Sequence, residues 1–155
     1  MTIRASFLLG FCLAATSLPA QTRQVRTVSS DGAMRALLAA QAEATQKGWQ
    51  LSIAVVDPAG ELLAFARMDG ASPASIQNAL GKARTAARFR RTTQVYDSLV
   101  SNGRTSLLNF ENMTPLEGGV PILIDGVVVG AIGVSGATAA QDAEVARAGA
   151  AVVRP

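Results

Sequence analysis

Apolar and polar positions alternate along this chain with two periods. Met34, Leu37, Leu38 and Ala42 recur at helical spacing between Ser30 and Gly48, predicting a first helix over Asp31–Lys47 with Ser30 as its cap. The runs LSIAVVD (51–57) and ELLAFARM (61–68) are strand-like and flank Asp57-Pro58-Ala59-Gly60, which has proline and glycine where a tight turn needs them. Ser72-Pro73 opens a second helix to about Arg90. On its wheel Ile76, Leu80, Ala83 and Ala87 form the expected buried stripe, with Asn78, Lys82, Thr85 and Phe89 opposite. Residues 92–103 suggest a short helix or an irregular segment, and Thr105–Phe110 a further strand. Thr138 and Gln141 form a capping box for a last helix to about Val153, with Val145, Ala148 and Val152 inward.

The densest apolar pattern is GGVPILIDGVVVGAIGVSG, from Gly118 to Gly136. Asp125-Gly126 between β-branched runs predicts a two-residue hairpin turn, because both turn positions need positive φ. In that register Ile124 faces Val127, Ile122 faces Val129 and Val120 faces Ala131. Both faces of the hairpin are apolar, so both must be covered. The order helix, hairpin, helix, strand, hairpin, helix predicts one α+β domain: a five-stranded antiparallel sheet flanked by helices.

The N-terminus has a separate character. Arg4, the apolar run Phe7–Leu18 and a cleavage point after Ala20 predict a signal peptide over residues 1–20, too short to span a membrane. Residues 21–29 are a polar linker or a short edge strand, and 30–155 form the domain. This predicts a periplasmic or secreted protein. Cleavage would remove Cys12, the only cysteine, so the mature chain needs no disulfide. It would also remove Arg4 and lower the formal net charge from +3 to +2, too little to predict nucleic-acid binding.

Histidine is absent from the whole chain. A Ser-His-Asp triad, a Cys-His pair and a His or Cys metal site are therefore excluded in the mature protein, and no metal site is predicted. Arg67 and Asp69 end the second strand beside Gly70. They either reach a pocket, where Arg67 can hold a carboxylate through two hydrogen bonds, or form a surface ion pair. Lys82 and Thr85 either address an anion or are solvated. Gly118, Gly119, Ser135 and Gly136 border the long hairpin at one sheet end. Free backbone donors there can take an anionic group, or these residues serve turns alone. Asp142, in the first turn of the last helix, is expected to complement the helix dipole.

The segments SIAVVDPAGELLAFARMDGA, KARTA and GGVPILIDGVVVGAIGVSGA, followed by D-x-x-x-A-x-A-G, resemble the GlcG and HbpS-like family of haem-degrading domains over roughly Ser30–Val153. The resemblance implies a profilin-like fold, a dimer or larger ring, and, for secreted members, extracellular haem binding beside a sensor kinase. Others of the family lie near glycolate-oxidation or cobalamin genes. The family's motif positions correspond to Arg67, Asp69, Lys82, Thr85, Gly118, Gly119, Ser135 and Gly136. Characterised members use a histidine for iron, and here only Met68, Met113, Tyr96 or Lys82 stand as substitutes.

Three functions follow as expectations. The first is a small-ligand-binding protein with haem or a related anionic tetrapyrrole as ligand. The second is an enzyme on a small organic acid, using Lys82 or Asp69 for proton transfer beside Arg67. The third is a homo-oligomeric accessory protein without catalysis.

Overall fold

The structure is a computed structural model and describes residues 24–155. The expected signal peptide and Cys12 lie outside the described residues. Helix α1 (Ser30–Lys47) is capped one residue earlier than expected, by Ser29, whose hydroxyl accepts from the Gly32 amide at 3.1 Å. Gly48 ends it in the left-handed conformation. Strands β1 (Ser52–Val56) and β2 (Leu62–Arg67) form the first hairpin. The Asp57 carboxylate organises its turn by accepting from the amides of Ala59 and Glu61 at 2.8 and 2.9 Å. Helix α2 (Ala74–Phe89) and the short α3 (Gln94–Ser101) follow. Then come β3 (Gly119–Ile124), β4 (Val127–Ser135) and α4 (Ala139–Ala151), which the Thr138–Gln141 capping box opens as predicted.

The four strands form one antiparallel sheet in the order β2-β1-β4-β3. The architecture is α+β as expected, with one strand fewer among the described residues. Residues 105–109 are a 3₁₀ turn rather than a fifth strand. Gly103 turns the chain at φ 90°, and local bonds such as Leu107 N to Arg104 O spend the backbone groups a ladder would need.

The long hairpin turns at Asp125 (φ 51°) and Gly126 (φ 75°), as the Asp-Gly pair requires. Ile124 faces Val127 as expected, but the register then slips: Ile122 pairs with Gly130 and Val120 with Ile132. Val129 is the extra residue of a bulge, and its carbonyl accepts from the Val28 amide at 2.7 Å. Val28, assigned from sequence to the linker, is thereby buried against the sheet.

Helices α1 and α4 cover one face of the sheet, enclosing Leu51, Ile53, Val55, Ile122, Ile132 and Val134. Helix α2 covers the other, over Ala54, Val56 and Ala131. Small residues set the spacing of both layers. The buried stripe of α1 is Ala33, Ala36, Leu37, Ala40 and Ala44, while Met34, Leu38 and Ala42 face outward. A Cβ at Gly149 of α4 would stand 2.6 Å from the Ala36 carbonyl oxygen, so α1 and α4 approach too closely for large side chains between them. Of the three α4 residues expected inward, Val145 is buried, Ala148 is half-buried, and Val152, which follows the last helical residue, is exposed.

Candidate functional site

Antiparallel register brings the motif residues to one end of the sheet. Ser52 at the start of β1 pairs with Arg67 on one side and Ser135 on the other, and Gly119 pairs with Gly133. Helix α2 lies directly on this end. A Cβ at Gly133 would overlap the Ala79 carbonyl and the Ala83 amide, and one at Gly119 would overlap the Lys82 carbonyl. The face of α2 turned to the sheet is consequently Ser75, Ala79, Lys82, Ala83 and Ala86, with Ile76 and Leu80 half-buried at its flank.

Lys82 and Thr85 are therefore not solvated: they are 3% and 0% exposed. The Thr85 hydroxyl accepts from the Thr114 amide at 2.8 Å and ties the loop before β3 to the helix. The Lys82 ammonium donates to Asp142 Oδ2 at 2.7 Å and to the Val134 carbonyl at 3.0 Å. Asp142 is 2% exposed; it is half of a buried ion pair, beyond the dipole partner expected from sequence. Its other oxygen accepts from the Ala137 amide at 3.0 Å. Burial pushes the Asp142 carboxyl above the ordinary carboxylate range, against the opposing pull of Lys82 and the Ala137 and Gly136 amides.

The pair joins α2 on one face of the sheet to α4 on the other, passing the sheet end at Gly118. A Cβ there would stand 2.9 Å from Lys82 Nζ and 2.9 Å from Asp142 Cβ, and φ is 124°, so glycine is needed twice over. Beside this strut the Ser52 and Ser75 hydroxyls share a buried hydrogen bond of 2.7 Å. These polar groups bond mainly to one another and to backbone.

Arg67 and Asp69 are exposed at the far side of this end, and Arg67 Nε donates to the Ala71 carbonyl at 3.0 Å. Ser135 is buried and Gly136 exposed. Gly136 borders an open depression of about 410 Å³ with Trp49, Gln50 and Ser72. Of the eight motif residues it is the one in that lining.

The opposite end carries a larger cleft, of about 540 Å³, that sequence reasoning did not find. Its walls are Leu123, Val127 and Val128 at the tip of the long hairpin and Pro58 in the first turn; Arg26 and Arg90 bring cations to it. Leu123 and Val127 are 54% and 46% exposed. Arg90 ends α2 in the left-handed conformation, φ 56°. The sequence signal was present: a hairpin apolar on both faces continues to its tip, past the last residue that α2 can cover. The volume lies in the ~300–1,000 Å³ range of small-molecule sites.

Among the described residues there is no cluster of three or more His, Cys, Asp or Glu able to hold a metal ion, and no helix long and apolar enough to cross a membrane.

Comparison with known proteins places this architecture. A family model described as "Haem degrading protein HbpS-like" matches residues 28–151. Protein GlcG of Escherichia coli K12 is 48% identical over 108 residues, covering 70% of this chain and 81% of that protein. The crystal structure of a Streptomyces reticuli HbpS double mutant superposes with TM-score 0.80 at 34% identity, over 91% of this chain and 99% of the other. A crystal structure of PduOC in complex with haem superposes with TM-score 0.73 at 26% identity, over 81% and 94%. With a family model over most of the described chain, a relative at 48% identity and the superposed fold in agreement, this chain belongs to the HbpS-like family.

Proposed function

We propose that this protein binds a small anionic ligand of the haem-related tetrapyrrole class. The observation that carries the reading is the hairpin-tip cleft, where an apolar wall and two arginines suit a molecule with an apolar body and carboxylate groups. Membership of a haem-degrading family and the likeness to the haem complex of PduOC support it. The expected N-terminal leader supports action in the periplasm or outside the cell, and the family resemblance supports a homo-oligomer with a sensor protein as partner.

The cleft suits the periphery of a tetrapyrrole and not its iron. The chain has no histidine, and neither Met68, Tyr96, Met113 nor Lys82 lines the cleft. Met68 packs on the main core, Tyr96 stands edge-on to Phe89 at 5.4 Å, and Lys82 is held by Asp142. A role for Lys82 in proton transfer on an organic acid has less support, because its ammonium is already spent on Asp142 and Val134.

Titrating purified protein with haemin should give a saturable change in the Soret band. An absorbance that rises linearly with added haemin, as for free haemin, would remove this reading.

A further inference from the structure

Two arginines, Gln24 and apolar side chains build the hairpin-tip cleft, and none of its lining residues is a histidine, cysteine, methionine, tyrosine or lysine. An iron atom held there would find no protein ligand of the usual kinds. Resting on the function proposed above, we infer that recognition ignores the metal: Arg26 and Arg90 hold the carboxylates of a porphyrin, the hairpin tip holds its ring, and metal-free porphyrin binds as well as haem.

Both arginines are available for this. Arg26 pairs with Asp125 at 3.0 Å, but the two side chains are 50% and 71% exposed, so water and salt weaken the pair and a ligand carboxylate can take its place. Arg90 is exposed and is anchored by the end of α2. A guanidinium presents a planar fork that matches a carboxylate, which a lysine does not. The apolar contribution comes from the half-exposed Leu123 and Val127 and the partly buried Val128, whose remaining exposed surface a ligand would cover. Because these residues belong to a paired hairpin, the ledge exists before binding and little ordering is required of it.

The test compares three probes on the full mature chain: haemin, metal-free protoporphyrin IX, and its dimethyl ester, which keeps the ring and lacks the charges. Binding is followed by the absorbance or fluorescence of the porphyrin itself. Haemin and protoporphyrin IX should bind within about threefold of each other, and the ester about tenfold or more weaker, as expected when charge-assisted bonds are lost. Arg26→Gln and Arg90→Asn should each weaken protoporphyrin IX about five- to tenfold and leave the ester unchanged. Asparagine tolerates the left-handed backbone at position 90, so that variant should keep the fold, which circular dichroism checks.

Haemin binding more than about thirtyfold tighter than the metal-free ring would overturn metal-blind recognition while leaving the proposed function in place. Both arginine variants binding protoporphyrin IX as the parent does would overturn the location. Failure of every probe to bind would overturn the proposed function itself.

Discussion

Lys82→Met should cost about 3–5 kcal/mol of folding free energy, the usual cost of removing one partner from a buried ion pair. The ammonium and the Asp142 carboxylate are both almost wholly excluded from water. Removing the cation leaves a carboxylate supported by backbone amides alone, in a place where burial already disfavours its charge. The loss comes from this stranded charge rather than from a large intrinsic strength of the pair. Removing both charges in Lys82→Met/Asp142→Leu should therefore cost well under the sum of the single changes, with a coupling of about 2 kcal/mol or more in a double-mutant cycle. Urea unfolding at neutral pH measures all three variants. Strictly additive losses would show that the two groups act separately.

Gly133→Ala should be the next most damaging change, at about 3 kcal/mol, the upper part of the range for overpacking a core. The added methyl meets the backbone of α2 at Ala79 and Ala83, and a backbone cannot turn aside as a side chain can. Accommodation requires α2 to lift from β4, which also disturbs Lys82 one turn along. Gly126→Asn is the control. It adds a side chain where nothing lies within 4 Å, at a φ of 75° that asparagine tolerates, and should change stability by less than about 1 kcal/mol. Thermal unfolding of the two variants side by side separates steric from conformational demands on glycine.

The turns were legible in the sequence because their chemistry is local. Asp125-Gly126, Asp57 to Gly60 and the Thr138–Gln141 box each need residues adjacent in the chain, and each stands where the pattern places it. What depended on distant partners was not legible. The bulge at Val129 exists beside an amide from Val28, 101 positions earlier in the chain, so a register counted from the turn alone misses it. The buried stripes of α1 and α2 were legible only in part: Leu37, Ala83 and Ala87 are buried as expected, but alanine and glycine, which periodicity weighs lightly, make most of the close contacts. Met34 and Leu38 look like core and are exposed; Lys82 looks like surface and is buried.

The candidate site divides in the same way. Gly118, Gly119, Ser135 and Gly136 share one sheet end, as pairing from the turn implies; β1 pairing adds Arg67, and packing of α2 adds Lys82 and Thr85. The Lys82 strut to Asp142 needed knowledge that the helices on opposite faces meet at that end. Arg26, Pro58, Arg90 and Leu123 come from four separate elements, and no spacing rule links them; only the folded sheet makes them neighbours.

Amide shifts of isotope-labelled protein titrated with protoporphyrin IX would show which end of the sheet meets the ligand. The account predicts saturable shifts concentrated at Leu123 to Val128, Arg26 and Arg90, with little change around Ser52, Arg67 and Ser135. Shifts confined to the Ser52–Arg67–Ser135 end, with the hairpin tip silent, would contradict it.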